Sequence, residues 1–221
     1  MRVFSVGSPA SGGCAELLPF SIDRPLIRIC PKCGRRVCEP ADHMEAEWQY
    51  GSDEIGDFTF AYGHVVVKSQ IADELLEHFE GFRKGLIVFP HHASRQEPET
   101  RESRARKRIW LPYKGPSLCE MVPTTVVGFD PSTAARIERR CDECGLVIYE
   151  WPKGIEEVRG RIRCPREPGK GLFFQRSALG QASFFRPQHT GFVLCTETVK
   201  DFMEQKAYTN VEFLEVGDIL G

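Results

Sequence analysis

Two short cysteine motifs, far apart in the chain, constrain this sequence more than any other feature. The first is CPKCG, from Cys30 to Gly34, and the second is CDECG, from Cys141 to Gly145. A Cys-x-x-Cys-Gly turn lets two thiolates point at one metal ion, while its glycine adopts a backbone conformation that other residues avoid. Two such turns supply the four sulfur ligands of a closed, structural zinc site, which has no open position for a catalytic water. The predicted ligands are Cys30, Cys33, Cys141 and Cys144.

Other ligand arrangements stay open from the sequence alone. The segment between the two motifs is far longer than the loop of a compact zinc ribbon, so each motif could also complete a site of its own. The thiols could equally pack without a metal, and a redox pair is disfavoured because no helical pattern follows either motif. The further cysteines that could join such separate sites are Cys14 and Cys38, and Cys119 and Cys164.

The composition is that of an ordinary globular protein. With 41% hydrophobic and 27% charged residues among 221, the chain can bury a core without disulfides. Nine cysteines, an odd number, favour reduced thiols and a metal site over a secreted disulfide framework. The first twenty residues lack the apolar run of a signal peptide, and no stretch of about 18 apolar residues could cross a bilayer. We therefore expect a cytoplasmic protein without a membrane partner, and the net charge of -2 argues against nucleic acid as a partner.

Hydrophobic periodicity predicts a strand-rich α+β fold. Alternating and β-branched runs such as MRVFSV, GHVVVK and NVEFLEV indicate strands, whereas helical spacing is clear in two segments. The first segment, SQIADELLEHFEG, has Ser69 as its expected N-cap and Gly81 as its stop. The second segment, TETVKDFMEQK, begins at Thr196.

The two predicted helices lie in matching surroundings. Each follows a glycine and an apolar strand and precedes another strand, and a CXXCG motif stands before each unit. The fold is therefore interpreted as two diverged halves, each with a zinc knuckle followed by a strand-helix-strand unit, although a chance match of a common pattern is the alternative. The predicted organisation is a single domain over 1–221, with halves over 1–92 and 111–221 and a polar insertion over 93–110. A shared metal would tie one half to the other.

The sequence shows few other signs of a functional site. No nucleophile elbow and no phosphate-cradling glycine loop occurs, so no enzymatic activity is predicted. The acidic stretch from Glu45 to Asp57 and the insertion from Arg95 to Arg108 are candidate regions for contact with a partner molecule. The simpler interpretation of both is a solvated loop. An aromatic cluster is predicted to fill the core rather than to line a binding groove. It consists of Phe173, Phe174, Phe184 and Phe185.

Taken together, these features resemble a known bacterial family. The matching elements are CPKCG, CDECG and the closing segment from Gly171 to Val216, GLFF through EFLEV. On them the chain resembles the double-CXXCG motif family, whose members are assigned as SitI-type immunity proteins. Such proteins protect a cell from the cognate swarming-inhibition (Sit) lipoprotein toxin exchanged between kin. The resemblance runs from about Met1 to Val216.

The resemblance implies four cysteine ligands for the metal and a protein toxin as partner. The chain would then be a non-enzymatic immunity protein, or antitoxin, acting in kin discrimination. It would bind and neutralise a cognate Sit-type toxin and carry a structural zinc. Such a protein needs a stable scaffold and a complementary surface, because inhibition comes from occluding the toxin's active site. The resemblance implies no particular toxin-contacting residue. The alternative is a zinc-ribbon protein that binds nucleic acid or acts as a regulator.

Overall fold

The computed structural model describes residues 1–9, 13–19, 26–38, 43–48, 52–61, 63–89, 113–133, 135–151, 155, 157–158, 161–162 and 165–221. Strands occupy far more of these residues than helices do, so the predicted strand-rich α+β class is confirmed. The insertion from Arg95 to Arg108, proposed above as a contact region, lies outside the described residues.

The described strands are short, and most hold between two and six residues. In chain order they are β1 (Arg2–Gly7), β2 (Leu17–Pro19), β3 (Leu26–Ile29), β4 (Arg36–Cys38), β5 (His43–Trp48), β6 (Phe58–Ala61), β7 (His64–Lys68), β8 (Phe82–Val88), β9 (Leu118–Pro123), β10 (Val126–Val127), β11 (Arg136–Arg140), β12 (Val147–Glu150), β13 (Glu157–Val158), β14 (Arg161–Ile162), β15 (Leu172–Gln175), β16 (Phe184–Pro187), β17 (Leu194–Thr196) and β18 (Glu212–Leu220). The helices are α1 (Ser69–His78), α2 (Arg176–Leu179) and α3 (Glu197–Gln205).

The first sheet has the strand order β2-β5-β8-β9-β7-β6. β7 and β8 are connected through α1, and both pair antiparallel with β9, which lies between them. On the outer sides, β6 is antiparallel to β7 and β5 is parallel to β8. The valines of β7 alternate as a strand requires: Val65 and Val67 join the core between the sheets, and Val66 joins a smaller cluster with Trp48.

The second sheet has the strand order β10-β16-β17-β1-β18-β15. β17 and β18 are connected through α3, and both pair antiparallel with β1, which lies between them. β16 is antiparallel to β17, and β15 is parallel to β18. Five strands of each sheet therefore follow the same order with the same directions, β5-β8-β9-β7-β6 in the first and β15-β18-β1-β17-β16 in the second.

The two sheets do not use the chain in consecutive blocks. β1, which belongs to the range 1–92, pairs only with strands of the second sheet. β9, which belongs to the range 111–221, pairs only with strands of the first sheet. Each of these two ranges therefore contributes the central strand of the other sheet.

Both predicted helices are present, and their ends differ slightly from the expected caps. The residue before α1 is Lys68, without a side-chain cap, so the prediction of Ser69 as the N-cap was wrong. The Ser69 hydroxyl instead bonds the hydroxyl of Ser117 at 3.0 Å, because β9 runs beside the start of the helix. α1 ends at His78, before Gly81, and α3 begins after Thr196 as expected.

A hydrophobic core lies between the two sheets. It receives side chains from β6, β7 and β9 of the first sheet, from β1, β16 and β17 of the second, and from both longer helices. Phe184 is fully buried there, with ring centroids of Phe82 and Phe79 at 5.0 and 6.3 Å. Of the predicted aromatic cluster, Phe174 and Phe185 are also fully buried, which confirms a core role for these three rings.

The interpretation of Glu45–Asp57 as a solvated loop was wrong for its first part. The stretch begins at Glu45, which lies within β5. In this strand Met44, Ala46 and Trp48 are buried and alternate with partly exposed residues. β5 pairs with both β2 and β8, so this segment is an inner strand of the first sheet. At its other end, Asp57 accepts hydrogen bonds from Thr209 and Lys68.

Candidate metal centre

Each CXXCG motif forms the turn of a two-stranded hairpin, called a knuckle below. The first knuckle consists of β3, β4 and their turn, and the second of β11, β12 and theirs. In the first, the N–H of Gly34 donates to the carbonyl oxygen of Cys30 at 2.9 Å, and in the second, Gly145 donates to Cys141 at 2.8 Å. Both glycines have φ at 72°, in the left-handed region where a side chain is strained, which explains the glycine in each motif.

The two knuckles have the same strand register. In the first, Leu26, Arg28 and Ile29 are opposite Cys38, Val37 and Arg36, with a bulge after Leu26. In the second, Ile137, Arg139 and Arg140 are opposite Tyr149, Ile148 and Val147, with a bulge after Ile137. Every residue of the first set has its counterpart 111 positions later, which is also the spacing between the paired cysteines. The two hairpins are therefore equivalent residue by residue.

The four predicted ligands are brought together. The sulfur atoms of Cys30, Cys33, Cys141 and Cys144 all lie within 4.8 Å of one another. Across the knuckles, the Sγ atoms of Cys30 and Cys141 are 3.7 Å apart, and those of Cys33 and Cys144 are 3.5 Å apart. A tetrahedral zinc ion with Zn–S bonds of about 2.3 Å requires sulfurs about 3.8 Å apart. The cluster could thus hold a metal ion, and its dimensions and soft donors are consistent with zinc.

Backbone donors and crowding set the proton affinity of the second pair of thiols. The backbone N–H of Cys144, together with that of Glu143, lowers the pKa of Cys141 to about 7. At Cys144 the N–H of Leu146 acts in the same direction, but burial and the neighbouring thiols outweigh it and raise the pKa to about 12. Four sulfurs this close cannot all be thiolates unless a cation neutralises them, so metal binding and proton release are coupled here.

Charged side chains connect the knuckles around the sulfur cluster. Arg28 donates from Nη1 to Oε1 of Glu143 at 3.1 Å and from Nη2 to the backbone oxygen of Glu143 at 3.0 Å. Lys32 donates to both carboxylate oxygens of Asp142, at 2.6 and 2.8 Å. The hydrogen bond and charge of Asp142 raise the pKa of Lys32, and Lys32 lowers the pKa of Asp142. These four residues were not predicted as part of the site, although opposite charges in the two motifs were a visible signal.

The other cysteines of the described residues lie outside this cluster. Cys119 and Cys195 are buried in the core between the sheets, where burial raises the pKa of both thiols. Cys14 is partly buried, and its pKa is also raised, first by burial and then by Glu54. Among the described side chains, Cys14 and Cys119 join no cluster that could hold a metal ion, and the side chains of Cys38 and Cys164 lie outside that part of the chain.

The knuckles are much more exposed than the sheets. All five residues of β11 are exposed, including Ile137 at 47% of its surface, and in the first knuckle Ile29 is 59% exposed. Of the knuckle side chains that the structure describes, the buried ones are Val147 and the inner cysteines, Cys30 and Cys141. Between the two hairpins, the described contacts are those of the sulfur cluster and of the charged side chains around it.

No helix among the described residues is long and apolar enough to cross a membrane. Comparison with protein-family models and with curated proteins yields no match to this chain.

Proposed function

We propose that this chain is a non-enzymatic immunity protein that binds and neutralises a cognate bacterial Sit-type toxin, with a structural zinc held by the two knuckles. The observation that carries the proposal is the meeting of two CXXCG turns at one four-sulfur cluster, because this pair of motifs is the most specific part of the resemblance stated above. A closed four-cysteine shell serves structure rather than catalysis, which suits a protein whose task is binding.

We also infer that the chain consists of two diverged halves. Three observations support this inference: the residue-by-residue equivalence of the knuckles, the shared order and directions of five strands in each sheet, and the contact between Gly63 and Gly191. These two glycines precede the two strand-helix-strand units, and a Cβ added at Gly63 would lie 2.5 Å from the carbonyl oxygen of Gly191. In such a duplication, β1 and β9 would be equivalent strands, because each begins its half of the chain and precedes the knuckle of that half.

Zinc content tests the metal part of the proposal. Purified protein is expected to carry about one zinc ion per chain, and Cys144→Ser to lose it. The matched control is Cys14→Ser, which alters a partly buried thiol outside the cluster and should retain the metal. Equal zinc content in wild type and Cys144→Ser would contradict the shared site.

Co-expression tests the immunity part. The toxin encoded beside this gene should inhibit growth when expressed alone, and this protein should restore growth and co-purify with the toxin. Restored growth together with a stable complex supports neutralisation by binding. Survival without a complex, or a complex without protection, would contradict it.

A second candidate function, binding of nucleic acid by the zinc ribbon or regulation through it, is favoured by one observation. Arg35, Arg139 and Arg140 are exposed on the knuckles and form no ion pair with any described residue. Unpaired arginines on an exposed hairpin can contact phosphates. Fluorescence polarisation with labelled duplex DNA and single-stranded RNA would reveal such binding by a steep loss of affinity with salt. Salt-dependent binding that Arg139→Ala weakens would favour this candidate over the first.

A further inference from the structure

We propose that Arg28, Lys32, Asp142 and Glu143 are positioning residues of the metal centre, which select the pairing of one first knuckle with one second knuckle. They would thereby make the site one that is completed within a single chain. The inference rests on the metal binding proposed above and is independent of the toxin.

The sulfur geometry alone does not select the partner of a knuckle. The two hairpins share their register, their bulge and the φ of their glycine, and the cysteines pair symmetrically as Cys30 with Cys141 and Cys33 with Cys144. Two copies of the same knuckle, from two chains, could present the same four thiolates. A second set of interactions must therefore distinguish the mixed pair from the two identical pairs.

The charged contacts distinguish the mixed pair from the identical pairs, because the positive charges lie on one knuckle and the negative charges on the other. The first knuckle contributes both cations, Arg28 and Lys32, and the second contributes both anions, Asp142 and Glu143. Arg28 has its equivalent in Arg139, 111 positions later. The residue of the first knuckle that is equivalent to Glu143 is Lys32, so the symmetric copy of the Arg28–Glu143 contact would place Arg139 near a cation instead.

Identical pairs lose this complementarity. In a pair of first knuckles, Arg28 of one copy would face Lys32 of the other, which is a repulsive contact, and Lys32 would face the uncharged Pro31 in place of Asp142. In a pair of second knuckles, Arg139 would face Glu143 favourably, but Glu143 would also take the place of Lys32 beside Asp142. Attraction and repulsion would then offset each other. The mixed pair is the combination in which each observed contact joins opposite charges.

The four side chains act on the metal through the hairpins rather than by ligating it. Lys32 and Asp142 are 57% and 75% exposed, and Arg28 and Glu143 are 42% and 43% exposed. Interactions between charges this exposed are screened by salt, with a Debye length of about 10 Å at 0.1 M and about 3 Å at 1 M. The contribution to metal affinity should therefore be modest, about two- to fivefold for each pair, and should fade as salt rises.

Zinc affinity in competition with a chromophoric chelator tests the proposal at low and high salt. Lys32→Glu places an anion beside Asp142, so it should raise the zinc Kd about tenfold at low salt and much less at about 1 M salt. The exchanged variant, Lys32→Asp with Asp142→Lys, should recover most of the lost affinity. Recovery is the decisive readout, because a merely structural role would not respond to exchange of the charges.

The matched control is Lys84→Glu, since Lys84 forms an equally short, exposed pair with Asp73 at 2.7 Å between β8 and α1. This variant should leave the zinc Kd unchanged. Equal affinity of Lys32→Glu and wild type at low salt, or an exchanged variant that binds no better than Lys32→Glu, would overturn the positioning role while the metal site stands. A wild-type protein that binds no zinc would overturn both.

Native mass spectrometry provides a second readout of the pairing. The wild-type protein should carry its zinc as a one-to-one complex with a single chain. Zinc found only in complexes of two chains would overturn the proposal, because the charged contacts would then fail to select the pair within one chain.

Discussion

The core between the sheets and the joined knuckles are stabilised in different ways. The core buries aromatic and β-branched side chains from both sheets, among them Phe58, Val67 and Phe184, which are fully buried. The knuckles leave Ile29 and Ile137 about half exposed, and their described contacts with each other are made by sulfur atoms and charged side chains. Apolar burial therefore already joins the two sheets, and β1 and β9 each lie in the sheet to which most of the other range of the chain contributes. A metal bound by the four cysteines would therefore have a local task, which is to order two hairpins, more than the task of joining the two sheets.

The largest expected effect is on the core side of the comparison. Phe184→Ala removes a fully buried ring that contacts Phe79 and Phe82, and it should lower the free energy of unfolding by about 3–5 kcal/mol. Urea denaturation followed by tryptophan fluorescence measures this change. Leu86→Ala is the matched control, because Leu86 is 63% exposed, and it should change the free energy by less than about 0.5 kcal/mol. Similar midpoints for the two variants would contradict the assignment of the core.

The second prediction concerns metal removal. A chelator should speed hydrogen exchange at the Gly34 and Gly145 amides about tenfold or more, because the sulfur atoms that join the two turns would then lose the metal between them. Amides of β7 and β17 should keep their protection, since their strands lie within the core. Hydrogen-exchange mass spectrometry with and without the chelator reads both regions in one sample. Loss of protection in β7 and β17 as well would show that the metal also stabilises the sheets, which would contradict the difference between core and knuckles.

Sequence patterns predicted the turns that bear the four clustered cysteines, and the two longer helices, because both signals are local. Two cysteines three positions apart and a glycine define the turn by themselves, and the apolar spacing of Ile71 and Leu75 defines α1. The sequence also contained the alternation of β5, but the charged residues of HMEAEW hid it within an acidic stretch. The burial of Met44, Ala46 and Trp48 shows that every second residue of this segment faces the core, as in a strand.

The placement of β1 and β9 could not be predicted in the same way. An apolar strand has the same local pattern whichever sheet it enters, and the pairing of Val3 with Gly217 and with Thr196 depends on packing across almost the whole chain. The contacts of Arg28 and Lys32 are likewise non-local, because they exist only once the two hairpins meet. A motif of five residues such as CXXCG can be recognised in the sequence, whereas contacts between distant segments depend on the folded structure.

The third prediction tests a polar contact between the two sheets. Asp57, before β6, accepts hydrogen bonds from the N–H and hydroxyl of Thr209, at 2.8 and 3.0 Å, and from Lys68 at 2.9 Å. Burial alone would raise the pKa of Asp57, but the Thr209 N–H and Lys68 outweigh it, so the pKa is lowered. Its stabilising contribution is therefore fully present above the ordinary value of about 3.9 and is lost as pH falls through the lower folded-state pKa.

Asp57→Asn should accordingly reduce the free energy of unfolding at pH 7 by about 1–2 kcal/mol, because the charge-assisted bonds are lost. The difference from wild type should shrink as pH falls below the folded-state pKa of Asp57. Chemical denaturation at several pH values measures it. A difference that stays constant down to the lowest pH would mean that the Asp57 charge plays no part.

The smallest expected effect returns to the knuckles. Lys32→Ala removes an exposed contact with Asp142, so in the presence of a chelator it should leave the urea midpoint unchanged. Lys68→Ala is the matched comparison, because Lys68 and Asp57 are only 21% and 19% exposed, and its midpoint should fall measurably. Both variants delete one ammonium group from one carboxylate, so any difference between them reflects burial and the region in which the pair lies. A midpoint that falls equally in both would mean that the knuckle charges stabilise the whole fold, and the separation between a self-sufficient core and metal-ordered hairpins would be lost.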